Sequence, residues 1–289
     1  MTVMQGLSAF PITPTEDDGT LRADDMTRLV SRITGVDSIG VLGSTGGYAY
    51  LTPDQRRHVA LVAIAATSLP VIIGVGALRS DVSASLARHA ADSGAAGLLL
   101  APVSYTPLTE DEVFYHFQTV AGASDLPICV YNNPSTTHFT FSIALLARLA
   151  ALPQVTAIKM PLPADNDFAT EIARLRADLP KGFTIGYSGD WGCAAALQNG
   201  ADSWFSVAAG LWPEQSSELA HAAQAGDATQ WQARFQPLWD LFKTYGSLRV
   251  IYAAAHLMGL TRAQPPRPVM PLPDALTPRI KAAIDALTA

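Results

Sequence analysis

Lys159 is the residue whose type and position most clearly suggest covalent chemistry. It ends the apolar run Val155–Lys159, precedes Met160 and Pro161, and is one of only four lysines in the chain. Removal from water penalises an ammonium ion and favours the neutral, nucleophilic amine. Such an amine can attack a carbonyl carbon and form a Schiff base. The alternative is a lysine whose stem packs on apolar surface while its ammonium group reaches water, so other segments must distinguish the two roles.

Hydroxyl groups stand at the ends of two further apolar runs. Tyr131 ends one of them, and its hydroxyl suits proton transfer to and from a carbinolamine on Lys159. Ser44 and Thr45 lie in the loop Gly43–Gly47, whose glycines allow closely spaced backbone N–H groups to surround a carboxylate. The alternatives are a packed aromatic ring at a strand end and an ordinary turn.

The elements that must position these residues follow a regular alternation of short apolar runs and amphipathic stretches. Cap residues such as Thr52 and Thr109 precede several of the amphipathic stretches, which predicts helices. Eight runs are predicted to be buried strands: Gly6–Ile12, Ser38–Leu42, Val71–Val75, Gly97–Ala101, Ile128–Tyr131, Thr156–Lys159, Thr184–Tyr187 and Ser203–Val207. Eight such units predict an α/β fold, a (β/α)8 TIM barrel over residues 1–212.

The competing α/β architecture is an open, doubly wound sheet. That fold normally has a glycine-rich phosphate turn after its first strand, whereas Pro11–Pro14 is not one. Beyond residue 212 the strand pattern stops, and aromatic residues recur at three-to-four spacing between Trp231 and Tyr245. Residues 213–289 are therefore predicted to form a C-terminal helical extension that packs on the barrel.

A barrel of this kind places its active site at the C-terminal ends of the strands. Tyr131 and Lys159 end consecutive strands, and neighbouring strands lie about 4.8 Å apart. We therefore expect the two side chains to enter one cavity.

Composition limits the classes of partner. Hydrophobic residues make up 49% of the 289 residues and charged residues 15%, which predicts a large core and is compatible with a subunit interface. The net charge is −6 without a basic cluster, so we expect no nucleic-acid partner. The longest apolar stretch, Val59 to Val75, is interrupted by Pro70 and is not expected to enter a membrane.

The cysteines and histidines predict neither a disulfide framework nor a metal site. Cys129 and Cys193 lie in apolar segments, as expected in a reducing cytoplasm. The six histidines lack the spacing of metal ligands. No cofactor is expected, because a Schiff-base lysine itself supplies an electron sink.

The motifs Gly43–Gly46, Tyr131–Pro134 and Ile158–Lys159 resemble, in order and spacing, the dihydrodipicolinate synthase/N-acetylneuraminate lyase family of pyruvate-linked class I aldolases. The specific part is Tyr-Asn-x-Pro followed by Ile-Lys, with the tyrosine 28 residues before the lysine. The resemblance implies that Lys159 forms the Schiff base with pyruvate or another 2-oxo acid. It also implies that Tyr131 transfers protons.

The same resemblance implies roles for further residues. Gly43, Ser44 and Thr45 would bind the carboxylate of the 2-oxo acid, with Ser44 in a proton relay. Tyr105 matches a relay tyrosine that family members present near the site of a dimer partner, so a homo-oligomer (a dimer or a dimer of dimers) is expected. Phe205 lies where the family's eighth strand offers a backbone contact to the substrate.

Three positions depart from the family pattern. Thr136 stands where dihydrodipicolinate synthases proper have an arginine for the second substrate's carboxylate, and His138 is a candidate replacement contact. Gly47 replaces a usual glutamate, and Met160-Pro161 follows the lysine. We therefore expect the Schiff-base chemistry to be retained and the second substrate to differ.

The expected function is that of a cytoplasmic lyase or aldolase that acts on a 2-oxo acid and possibly an aldehyde. Three alternatives remain open at this point. The first is a 2-keto-3-deoxy sugar acid dehydratase, which would use the same lysine and tyrosine to eliminate water. The others are 4-hydroxy-tetrahydrodipicolinate synthase proper and a non-catalytic 2-oxo acid binding protein.

Overall fold

Eight parallel strands close into a barrel in the computed structural model, which describes residues 2–288. They are β1 (Gly6–Ala9), β2 (Ser38–Val41), β3 (Val71–Gly74), β4 (Gly97–Leu100), β5 (Ile128–Tyr131), β6 (Val155–Met160), β7 (Thr184–Tyr187) and β8 (Ser203–Ser206). Each strand pairs with its neighbour in the chain, and β1 pairs with β8. The predicted (β/α)8 barrel is confirmed.

The helices surround the barrel and form its C-terminal part. They are α1 (Ala23–Ser31), α2 (Pro53–Ala65), α3 (Ser80–Asp92), α4 (Glu110–Ala121), α5 (Pro134–Thr137), α6 (Ile143–Ala150), α7 (Phe168–Asp178), α8 (Cys193–Gln198), α9 (Pro213–Gln224), α10 (Thr229–Tyr245), α11 (Ser247–Leu257) and α12 (Thr277–Thr288). Thr52 and Thr109 cap α2 and α4 in reciprocal capping boxes, as their positions predict. Across residues 2–288, none of these helices combines the length and the apolar character that a bilayer crossing needs.

Six of the eight predicted strand ends are wrong, and β2, β3, β4 and β8 each stop one residue earlier than predicted. β1 stops at Ala9 instead of Ile12, because Pro11 has no N–H to donate to a ladder. β6 continues one residue past Lys159, since Met160 pairs with Tyr187. The Met160 carbonyl also accepts a hydrogen bond from the Ser188 amide at 2.8 Å. Pro161 therefore ends the strand, and Lys159 is its penultimate residue.

Alternation along the strands separates two apolar layers. Ile72, Leu99, Cys129 and Phe205 belong to a small cluster inside the barrel, whereas neighbouring strand residues face the helices. Phe10 and Phe205 meet edge to face in the inner cluster, with ring centroids 6.0 Å apart. The side chains of Lys159 and Tyr131 also point into the barrel, so they lie above this inner apolar cluster.

Helix α9 contacts α8 and β1, which places it in the ring of helices around the barrel. Helices α10, α11 and α12 contact one another, and α10 also contacts α9. Within α10, Phe235 stacks on Trp239 with centroids 4.7 Å apart. The division at residue 212 stays a prediction. We propose a later boundary, after α9, because this helix completes the eighth β/α unit.

His116 makes a testable contribution to stability. It is buried between α3 and α4, where Nδ1 lies 2.9 Å from the Ser80 hydroxyl and Nε2 has no partner within residues 2–288. Burial lowers the pKa of His116 from 6.5 to about 4. The unfolded chain therefore binds more protons between these two pKa values, and stability falls as the pH drops through this window.

We expect this histidine to lower the free energy of unfolding by about 3 kcal/mol between pH 7.5 and pH 4. Urea unfolding of His116→Gln as a function of pH should show a shallower acid loss than wild type. His221→Gln, at an exposed position, is the matched control. Equal pH slopes for wild type and His116→Gln would contradict the assignment.

Candidate active site

Lys159 enters a cavity of about 420 Å³ at the C-terminal ends of the strands. Its side chain lies against aromatic faces, with Nζ 4.0 Å from the Tyr131 ring centroid and 5.8 Å from that of Phe10. The residue is only 6% exposed, and no ion pair within residues 2–288 includes it. With no carboxylate occupying it, Nζ is available to a ligand in the cavity.

Strand register brings Lys159 and Tyr131 together. The two residues are direct partners in the β5–β6 ladder, and the Asn132 amide donates to the Lys159 carbonyl at 3.0 Å. An irregularity between Ile128 and Cys129 sets this register. The prediction that both side chains share one cavity is confirmed.

A hydroxyl network adjoins the lysine. The Tyr131 hydroxyl lies 3.2 Å from the Ser44 hydroxyl, and Asn133 Nδ2 donates to Tyr131 at 3.0 Å and to Ser44 at 3.4 Å. Ser135 donates to Asn133 Oδ1 at 2.8 Å, which orients that amide. Since the Tyr131 oxygen accepts from Asn133, its own proton can point to Ser44 or to a ligand.

Asn133 and Ser135 are site residues whose role in this network the sequence did not reveal. The sequence signal for Asn133 was its spacing of two residues from Tyr131. This spacing brings the Asn133 side-chain amide to the Tyr131 hydroxyl only because the chain turns into α5. The hydrogen bonds depend on this turn.

The loop after β2 brings Gly43, Ser44 and Thr45 to the cavity wall. Leu42 has a φ of 60° and Gly47 one of 64°, and a positive φ at a residue other than glycine is sparsely populated. Gly74 permits this path, since a Cβ there would lie 1.9 Å from the Leu42 carbonyl oxygen. The end of β3 thus supports the loop predicted to bind a carboxylate.

Arg56 supports the same region from below. It is buried, and its guanidinium donates to the carbonyls of Gly74 and Gly76, both at 2.9 Å, while it faces the Tyr48 ring at 5.3 Å. Burial lowers the pKa of Arg56 to about 10. Its donors are directed to the backbone, so it does not line the cavity.

Asp190 is a buried carboxylate at the cavity edge. Its Oδ1 accepts from the Ser206 hydroxyl at 2.6 Å and from Trp204 Nε1 at 3.1 Å, and Oδ2 accepts from the Val207 amide at 3.3 Å. Burial raises the pKa of Asp190, and these hydrogen bonds oppose the rise. Both oxygens are occupied in joining the loops after β7 and β8.

Other predicted site residues differ in their placement. Phe205 lines the cavity, as expected, whereas Tyr105 is 96% exposed and lies outside it. Thr136 and His138 are exposed and are not among the residues that line the cavity, so their contact with a substrate stays a prediction. The helical turn α5 directs Ser135 to the cavity, while the Thr136 hydroxyl donates back to the Asn133 carbonyl at 3.3 Å.

The barrel with an inward lysine and a neighbouring tyrosine defines a class, the TIM-barrel lyases of the class I aldolase type. The chain matches the model of the Dihydrodipicolinate synthetase family over residues 3–287 and belongs to that family. It is accordingly an enzyme, a carbon–carbon or carbon–oxygen lyase.

Relatives span almost the same length. The 4-hydroxy-tetrahydrodipicolinate synthase of Methylococcus capsulatus is 33% identical over 89% of this chain and 90% of its own. The structure of dihydrodipicolinate synthase from Agrobacterium tumefaciens is 52% identical, with a TM-score of 0.96 over 99% of this chain and 98% of that one. The chloride-inhibited dihydrodipicolinate synthase from Acinetobacter baumannii, in complex with pyruvate, is 25% identical with a TM-score of 0.88 over 99% of both chains.

Gly74→Ala tests the support of the β2 loop. The added methyl would overlap the Leu42 carbonyl oxygen, so we expect a loss of about 1–3 kcal/mol in the free energy of unfolding. Gly122→Ala is the control, because its φ is −73° and the nearest atom to the new Cβ is at 3.5 Å. Urea titration of both variants measures the difference, and a Gly74 variant as stable as the Gly122 variant would refute this packing argument.

Proposed function

We propose that the protein binds pyruvate or a related 2-oxo acid as an imine of Lys159 and acts as an aldolase. The observation that carries this proposal is the contact of the buried, unpaired Nζ with Tyr131, whose hydroxyl joins Ser44 and Asn133. Further support comes from the Acinetobacter baumannii relative, whose structure is described as a complex with pyruvate.

The proposed reaction begins at Lys159. Its neutral amine attacks C2 of the 2-oxo acid to give a carbinolamine, Tyr131 donates a proton to the carbinolamine hydroxyl, and water leaves as the C=N bond forms. Gly43, Ser44 and Thr45 hold the carboxylate, and the Ser44 hydroxyl relays protons between the Tyr131 oxygen and water.

The imine then acts as an electron sink. The Tyr131 oxygen takes a proton from C3 to give an enamine, which attacks the carbonyl carbon of an aldehyde while Tyr131 returns that proton to the aldehyde oxygen. Hydrolysis of the new imine releases a 4-hydroxy-2-oxo acid and regenerates Lys159. The reverse sequence cleaves the same carbon–carbon bond and releases pyruvate.

We also propose that the protein is a homo-oligomer in which Tyr105 serves a neighbouring subunit. This tyrosine is 96% exposed in the single chain, and a large aromatic side chain at the surface is typical of interfaces. The resemblance to family members that share such a tyrosine supports the same arrangement.

Borohydride reduction in the presence of pyruvate tests the imine. We expect a reduced pyruvyl adduct on Lys159, because reduction converts the C=N bond to a stable amine. Lys159→Ala should abolish the adduct, whereas Lys181→Ala, at an exposed lysine, should retain it. Intact-mass spectra and peptide mapping give the result, and the absence of an adduct at saturating pyruvate would overturn the proposal.

Tyr131→Phe tests the proton transfer. The substitution removes only the hydroxyl, so we expect normal folding and a fall in kcat of roughly 10²–10⁴-fold. Tyr115→Phe, at a tyrosine that is 63% exposed, is the matched control. Steady-state pyruvate release from a 4-hydroxy-2-oxo acid measures both variants, and a Tyr131→Phe enzyme with wild-type kcat would leave Tyr131 a packing role only.

A further inference from the structure

The outer half of the cavity has an apolar wall. Pro161 and Leu162 follow β6, Trp191 follows β7, and Val207 follows β8, and all four line the cavity beyond the strand ends. Trp191 is 41% exposed, which places it at the mouth. A ligand joined to Lys159 would therefore extend past these apolar side chains on its way to solvent.

Leu162 and Trp191 lie on neighbouring loops that line the cavity, and the two side chains are here called the apolar ledge. A Cβ at Gly189 would lie 2.8 Å from Leu162 Cγ, and one at Gly192 would lie 2.6 Å from Leu162 Cδ2. Leu162 thus packs directly on the turn that carries Trp191, and glycines at both ends of that turn make room for it. Packing against this turn therefore holds the Leu162 side of the apolar ledge in place.

The outer half lacks a cation for an acidic second substrate. The cavity lining contains one basic side chain, Lys159, which the proposed imine uses. Asp190 is the acidic group of the lining, and Ser206, Trp204 and Val207 already occupy its two oxygens. A carboxylate or phosphate on the second substrate would lose its hydration without gaining a charged partner.

Two of the three serine hydroxyls in the outer lining have committed their protons, and the third belongs to Ser247 at the start of α11. Ser135 donates to Asn133 Oδ1 at 2.8 Å, and Ser188 donates to the Met160 carbonyl at 3.1 Å. They can still accept from a ligand, but a polyhydroxylated substrate needs several donors as well as acceptors. The balance of the lining favours an apolar body over a sugar chain.

We propose that the second substrate is an uncharged aldehyde with an apolar body, aliphatic or aromatic, which lies on the apolar ledge. This inference rests on the proposed Lys159 imine. In the forward direction the enamine carbon bonds to the aldehyde carbon and the aldehyde oxygen becomes a hydroxyl. In the reverse direction that bond breaks and the apolar aldehyde leaves past Leu162 and Trp191.

The first experiment compares three aldehydes with pyruvate: benzaldehyde as the apolar probe, glyceraldehyde as the hydroxylated one and aspartate semialdehyde as the acidic one. We expect kcat/KM for benzaldehyde to exceed the other two values at least tenfold. A higher value for either of the other aldehydes overturns the inference. Turnover of none of the three overturns it as well.

Borohydride trapping of pyruvate on the same preparation separates the two proposals. No adduct on Lys159 would overturn the proposed function itself. An adduct on Lys159 combined with a preference for another aldehyde would overturn only the inference that the second substrate is apolar.

Variants of the ledge provide the second experiment. Trp191→Ala should raise KM for benzaldehyde about tenfold, the lower end of what a lost apolar contact contributes to specificity. Trp191→Phe should bring KM most of the way back to the wild-type value. Trp231→Ala in α10 is the control, since Trp231 packs under Arg234 outside the cavity. An unchanged KM in folded Trp191→Ala, verified by circular dichroism, would overturn the inference.

Discussion

The pairing of β5 with β6 is the constraint on which the rest of the site depends. It places Tyr131 opposite Lys159, so the amine lies 4.0 Å from the ring centroid of its neighbour. A slip of one residue would turn one of these side chains out of the barrel, because strand side chains alternate between the two faces. A closed barrel fixes this register, since every strand is held by two neighbours.

Around this pair, glycine residues at the strand ends let neighbouring backbone segments approach each other closely. The left-handed conformation of Leu42 is tolerated because Gly74 leaves space for its carbonyl, and Arg56 holds the carbonyls of Gly74 and Gly76. The two terminal nitrogens of the buried Arg56 guanidinium thus bind peptide carbonyls instead of a carboxylate. The consequence is a loop whose hydroxyls lie within reach of Tyr131.

The two halves of the cavity differ in their physical character. The inner half joins one free amine to a network of hydroxyl and amide groups, which suits proton transfer around an imine. The outer half has an apolar wall beside a few serine hydroxyls, and the carboxylate in its lining, Asp190, is engaged by Ser206. The amine and its hydroxyl network therefore lie at strand ends, whereas the apolar side chains lie on the loops that follow. Under the proposed function, a change at these loops can alter specificity while the lysine stays in place.

The sequence by itself determined the barrel and the pairing of Lys159 with Tyr131, because continuous apolar runs and strand-end position are local signals. It also indicated Ser44, Thr45 and Phe205 at the cavity. Only the tertiary structure decided that Ser135, not Thr136 or His138, lines the cavity, since this depends on the rotation of a single helical turn. The apolar ledge likewise arises from loops after β6 and β7 that meet only when the barrel closes.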